Sequence, residues 1–390
     1  MLSLIRTARK ALSRIATVGA LMLAAACVPA GQPSGGGGSP SRSGAVKVAL
    51  LVPGGSGNAS DQVLADSLVN AANLAIADLS GVSIELKVYQ TGANPGQAQA
   101  MALRAADEGA EIILGPVFAQ ESNAAGVAMA SRGINVLAFS NNPDIAGGNV
   151  FVLGPTFDNT ARRLAGYAVR TGKTRIMIVH ERNTVGDLGK AAIQRGVAAA
   201  GGSVVAVSSY EFSQAGIASA APGIVKTARD TGANAMFLTA DTAGALPLLS
   251  QLLLENGATP ATTRFIGLTR WDVLPQTLGL PGVQGGWFAL PDPNLYAQFQ
   301  SRYQAAFGQP PHPIAGLAYD GIAAIGALAR QGRDLSAGAL TQSAGFVGVS
   351  GIFRLRTDGT NDRGLAVAEI RNNQVVVIDP APRSFSGAGL

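Results

Sequence analysis

One cysteine and two histidines are all that 390 residues supply of the side chains that most often hold metals or pair for nucleophilic catalysis. The lone Cys27 excludes an intramolecular disulfide. With His180 and His312 it falls short of a metal-ligand set, and His312 sits in the stiff stretch Pro310-Pro311-His312-Pro313. Other enzyme motifs are missing too. Gly348-Val349-Ser350-Gly351 does not make a G-x-S-x-G elbow, and no lysine stands three residues after a serine. A surplus of one charge sign is also lacking. The formal +5 depends on Arg6, Arg9, Lys10 and Arg14, and without residues 1–26 there are 25 basic against 24 acidic side chains. A near-neutral body offers no clustered cations for phosphates, so nucleic acid is not an expected partner. What is plentiful is apolar surface: 47% hydrophobic and 14% charged residues place the chain among folded proteins, with length for two or three domain-sized units.

The missing charge sits in a leader. Residues 1–14 are basic, residues 15–26 are apolar but too short to span a bilayer, and Ala24, Ala25 and Ala26 precede Cys27. This layout predicts a secretory signal over 1–26. The position of Cys27 resembles a bacterial lipobox, which implies diacylation there and a stable lipid anchor. Val28 rather than Asp follows the cysteine, which implies the outer membrane of a Gram-negative periplasm. Residues 27–45 are then the lipidated cysteine and a Gly/Ser/Pro tether.

From residue 46 the sequence alternates. Short apolar runs (45–52, 82–89, 111–114, 134–139) alternate with helical spacing over 61–79, 97–108 and 121–132, with Ser60 placed to cap the first helix. The rhythm restarts with helices over 157–171, 185–200, 222–231 and 243–256. Strands over 175–180, 203–210, 235–239, 264–268 and 283–290 alternate with them, and helices over 294–307 and 314–330 follow. Such alternation predicts an α/β fold of two doubly wound parallel-sheet lobes. Strands over 351–356, 364–371 and 374–379, with Asp358-Gly359 and Asn372-Asn373 turns, predict a C-terminal β-meander on the second lobe.

Open parallel sheets bind ligands beyond the carboxyl ends of their strands. The groups there are Ser56, Ser122, Ser140 and Asn141 in the first series, and Asn183, Asp241 and Trp271 in the second. Any of the small polar ones also serves as a plain helix cap. Gly55-Ser56-Gly57-Asn58-Ala59-Ser60 approximates a dinucleotide loop, but the second strand ends Tyr89-Gln90-Thr91 without the acid a ribose needs. No cofactor or metal is expected.

The segments IILGP (112–116), VLAFSN (136–141), VQGGWFALP (283–291) and LAYDGI (317–322) resemble type I periplasmic binding proteins of the leucine/isoleucine/valine-binding class. The resemblance implies a hinged body with lobe 1 over 46–154 plus 291–345 and lobe 2 over 155–290 plus 346–380. Crossings would fall near Gly154-Pro155, Leu290-Pro291 and 346–351. It further implies that Ser140 and Asn141, with Ser56 or Ser122, hold a ligand carboxylate and that Asp241 holds its amine. Val185-Gly186 stands where that class has tyrosine-glycine. The leader and the ending GIFRLRTDGTNDRGLAVAEIRNNQVVVIDPAP (351–382) are similar to penicillin-binding protein activators. These are non-catalytic outer-membrane lipoproteins that stimulate a peptidoglycan synthase by contact. The alternative is the receptor of an ABC importer for branched-chain or other amino acids, with an ABC permease as partner. Neither reading makes the protein an enzyme.

Overall fold

Strand and helix alternate from the start of the described chain, residues 44–385 of a computed structural model. The export signal, Cys27 and all but the last two residues of the tether lie outside those residues. The first series runs β1 (Val46–Val52), α1 (Ala59–Asp78), β2 (Ile84–Gln90), α2 (Pro95–Asp107), β3 (Ile112–Leu114), α3 (Ala119–Ala130), β4 (Asn135–Ala138) and β5 (Val150–Val152). These strands form one parallel sheet, ordered β2-β1-β3-β4-β5, with Leu50 opposite Leu114 and Val136 opposite both Ile113 and Val150. Every β1 residue but Lys47 is buried, as expected of a strand covered on both faces. Helix α1 presents Leu64, Leu68, Ala71, Ala72 and Ala75 to one face, while Ala102, Ala105, Ala125 and Met129 of α2 and α3 cover the other.

The second series runs α4 (Phe157–Arg170), β6 (Arg175–Glu181), α5 (Thr184–Ala199), β7 (Ser203–Tyr210), α6 (Gln214–Asp230), β8 (Ala235–Leu238), α7 (Leu246–Glu255), β9 (Arg264–Gly267) and β10 (Trp287–Leu290). Then come α8 (Pro293–Phe307), α9 (Gly316–Arg330), the single turn α10 (Ala337–Leu340), β11 (Phe346–Gly348), β12 (Gly351–Leu355), β13 (Asn361–Arg363), β14 (Ala366–Arg371) and β15 (Gln374–Asp379). The second sheet is ordered β15-β14-β10-β9-β8-β6-β7 and is parallel except for the antiparallel β14–β15 hairpin at its β10 edge. The two α/β lobes expected from the alternation are therefore present.

Three local expectations need correction. Asn58, not Ser60, caps α1, its side chain accepting the Ser60 N–H at 3.0 Å. Helix α6 begins at Gln214, capped by Ser213, and continues through Pro222. Burial of Ile217, Ala221, Ile224 and Val225 outweighs the one backbone bond a proline removes. The strand expected over 283–290 is only Trp287–Leu290, because Gly285 at φ 74° and a short 3₁₀ turn at Pro281–Val283 occupy its start.

The meander is divided between the lobes. β11, β12 and β13 form a small antiparallel sheet of their own. Phe346, Val349, Phe353 and Leu355 pack into the first-lobe core with α8 and α9, the two Phe rings 5.6 Å apart. Ala366, Ala368 and Ile370 of β14 pack into the second. The change from first-lobe to second-lobe packing lies between Leu355 and Leu365, because the Phe pair has its apolar partners in the first lobe.

Candidate functional site

Strand order reverses once in each parallel sheet, between β1 and β3 and between β6 and β8. Such switch points leave a crevice at the strand ends. In the first lobe, Ser56, Ser122 and Ser140 follow the ends of the adjacent strands β1, β3 and β4, so the topology gathers them along one sheet edge. Each hydroxyl already has a local partner. Ser56 Oγ donates to Asp61 Oδ2 at 2.8 Å and accepts the Asn58 N–H at 3.1 Å. Ser122 Oγ is fully buried and donates to the Phe118 carbonyl at 2.9 Å, one turn back. Ser140 Oγ accepts the Asn142 N–H at 3.1 Å. Asn141 is exposed.

Beside Ser122 lies Glu121, which the sequence reading passed over. Its carboxyl is 1% exposed with no hydrogen bond of normal geometry. Burial pushes its pKa up, against the weaker pull of the Thr91 hydroxyl and the Phe118 N–H.

In the second lobe Asn183 caps α5, accepting the Gly186 N–H at 2.7 Å. Asp241 is exposed, and its Oδ1 accepts the Gly244 N–H at 2.5 Å. Both sit at the β6/β8 switch point with Glu181, whose carboxyl is pushed up by burial and by the charge of Asp241. Below them the buried Tyr210 hydroxyl has no hydrogen-bond partner. Burial, then Glu181 and Asp241, push its pKa up as well. The acids therefore concentrate negative charge at this edge. Glu181 ends the apolar strand RIMIVHE, and an acid closing a buried strand is the signal that could have marked it.

Trp271 does not belong to this edge. Its indole is fully buried in the second-lobe core, 6.4 Å from the Phe288 ring. It fills the space left by two glycines: a Cβ on Gly267 or Gly286 would come within 2.3 Å of the ring. A large aromatic gains more from burial than a strand-end position offers it.

None of the seven expected ligand residues lines the apolar cavity at the lobe crossings, whose volume is about 280 Å³. Its walls include Pro155 and Thr160 from the first crossing, Leu290 and Pro291 from the second, and Arg363 and Leu365 from the third. Arg363 is buried, as is its partner Asp320 at 3.3 Å, and its Nε donates to the Leu153 carbonyl at 3.0 Å. Asp320 also accepts the Val349 N–H at 2.8 Å. Asn361 donates to the carbonyls of Val152 and Gly154 at 2.7 and 2.9 Å and accepts from Asn159 of α4 at 2.8 Å. β13 thus ties the end of β5, the start of α4 and α9 together. Among the described residues no cluster of three or more His, Cys, Asp or Glu could hold a metal ion.

Residues 45–374 match a family model described as periplasmic binding protein. A search of curated proteins finds no match. Among solved structures, the fold is similar to a Rhodospirillum rubrum protein provisionally described as a branched-chain amino acid ABC transporter. The identity is 19% and the TM-score 0.73, over 86% of this chain and 100% of that one. It is similar to a branched-chain amino acid ABC transporter periplasmic ligand-binding protein from Burkholderia xenovorans, with 17% identity and TM-score 0.67 over 88% and 97%. It is also similar to an ABC transporter substrate-binding protein from Desulfitobacterium hafniense in complex with Leu, with 18% identity and TM-score 0.63 over 86% and 100%.

Proposed function

Because the chain belongs to the periplasmic binding protein family, we propose that it is the substrate-binding receptor of an ABC importer, carrying a small solute to a membrane permease. The observation that carries this reading is one switch point per lobe, edged by hydroxyls in the first and by carboxylates in the second. That asymmetry suits a zwitterion. Ser140 and Asn141, with Ser56 or Ser122, would take its carboxylate through hydroxyls and backbone N–H groups. Asp241, with Glu181 beside it, would take its ammonium, whose charge relieves the repulsion between the two acids. Relatives described as branched-chain amino acid binders support this class of solute. The setting would be the periplasm, and acylation at Cys27 would tether the body to a membrane. Cys27→Ala should then release the protein from membranes, and continued pelleting would refute the anchor.

Calorimetry against an amino-acid panel tests the reading. A solute that binds should raise the melting temperature by mass action, and Asp241→Ala should abolish binding of any ammonium-bearing solute. The activator role, drawn from the tail resemblance, gains no support from these comparisons. A silent panel together with capture of a peptidoglycan synthase from membranes would favour it instead.

A further inference from the structure

At the β12–β13 hairpin arginines outnumber acids, on a chain whose body is nearly neutral. The centre of this cluster is the buried carboxylate of Asp362, which takes Arg162 of α4 on one oxygen. Its other oxygen takes Arg354 Nε at 2.7 Å and Arg356 Nη1 at 3.5 Å. A second acid, Asp358, lies 3.5 Å from Arg356 Nε, but it is exposed and already accepts the Thr360 N–H at 2.9 Å. Three guanidinium groups thus share two carboxylates, which leaves one positive charge uncompensated. Arg356 is the least engaged of the three, since both of its acidic contacts exceed hydrogen-bond length.

Beside the cluster is a recess of about 210 Å³, open to solvent and lined by Thr341, Ser343, Arg354, Arg356, Thr357 and Asp362. Donors dominate this lining. Ser343 and Thr357 are exposed hydroxyls and Arg356 is an exposed cation. The carboxylate in the wall, Asp362, is 2% exposed and already held by arginines. The frame is fixed from several sides. Phe353 and Leu355 are buried in the first-lobe core, and the Gly359 carbonyl near the hairpin tip accepts the Val152 N–H at 2.8 Å. The Arg354 guanidinium lies 4.7 Å from the centre of the Phe385 ring. Gln342 ties the facing loop, accepting from Arg333 at 2.9 Å and donating to the Gly345 carbonyl at 3.1 Å. We propose that this recess binds an oxyanion of the phosphate class. A guanidinium fork matches such a group with parallel N–H donors, and neighbouring hydroxyls add to them. A cation would be repelled by the surplus positive charge, and a neutral guest would leave it unpaired. None of the strand-end residues lines the recess, so the site does not depend on the receptor reading.

The test titrates the full-length protein with inorganic phosphate and with acetate at constant ionic strength, which keeps general screening equal. Binding is read by calorimetry and by phosphorus NMR line width. Phosphate should bind saturably, one per chain, and at least fivefold more tightly than acetate. Arg356→Gln should weaken it at least fivefold. Asp358→Asn removes a competing charge and keeps an oxygen for the Thr360 N–H, so it should tighten phosphate at least twofold, a gain that a damaged fold would not give. Silent phosphate, acetate binding as tightly as phosphate, or unchanged affinity in Arg356→Gln overturns the proposal, as does a loss of binding in Asp358→Asn. Vesicles of phosphatidylglycerol and of phosphatidylcholine, offered to the Cys27→Ala chain that cannot be acylated, distinguish the sources. Flotation with phosphatidylglycerol alone, abolished by Arg356→Gln, assigns the oxyanion to a lipid headgroup, and phosphate binding without flotation assigns it to a free solute. A positive amino-acid panel with silent phosphate would sink this site and leave the receptor reading intact.

Discussion

The strand-end rims and the crossings use polar side chains in opposite ways. At the rims, Ser56, Ser140, Asn183 and Asp241 each serve a backbone N–H within three residues of themselves, mostly at the surface. At the crossings, Asn361, Asp320 and Arg363 reach across 29 to 210 residues of chain and are buried. Local bonds are easily exchanged for water or a solute. Long-range buried ones are not, since an orphaned partner bears the full desolvation penalty. The rims are thus suited to exchange partners, and the crossings to hold the lobes in a defined relation.

Substitutions should separate the two regions by size of effect. Asp320→Asn leaves Arg363 buried without its carboxylate and should destabilise by about 3–5 kcal/mol, read from urea or guanidinium unfolding. Asn361→Ala should lose about 1–3 kcal/mol by the same measurement, since the Val152 and Gly154 carbonyls lose their donor. Asp362 comes next. Burial pushes its carboxyl up, but the guanidinium groups of Arg354 and Arg162 prevail and hold it below the usual aspartate range. A depressed pKa gives stability that is present above the ordinary aspartate value, near 3.9. That stability drains away as pH falls toward the folded-state value. Asp362→Asn should therefore lower the melting temperature at pH 7 and flatten its decline below about pH 4. Asp241→Ala should matter least to stability, about 0.5 kcal/mol for an exposed turn residue, while removing binding of ammonium-bearing solutes. A stability loss at Asp241 equal to that at Asp320 would erase the contrast between rim and crossing.

The periodic parts of this fold were open to sequence reading because they follow one-dimensional rules. β1 reads as an unbroken apolar run and is buried, and Leu64, Leu68, Ala71 and Ala75 recur at helical spacing and face the sheet. The failures came where distant chain decided. Phe346 and Phe353 leave the meander for the first lobe because their packing partners lie there, which no local pattern encodes. Trp271 looked like a rim aromatic from its place after a strand, but Gly267 and Gly286 open a core pocket for it from two separate segments. Asp320 stood in the LAYDGI segment that carried the resemblance, yet its partner Arg363 lies 43 residues on. Glu181 and Tyr210 meet Asp241 only through the β6–β7 and β6–β8 pairings. Position along the chain located the rims; their charge asymmetry needed the sheet order.

Calorimetric titration of the full-length protein with a panel of amino acids and their uncharged analogues tests the receptor reading most directly. The account predicts saturable, one-to-one binding of at least one zwitterion, lost in Asp241→Ala. Binding that survives in Asp241→Ala unchanged, or a panel silent throughout while a peptidoglycan synthase is captured from membranes, would contradict it.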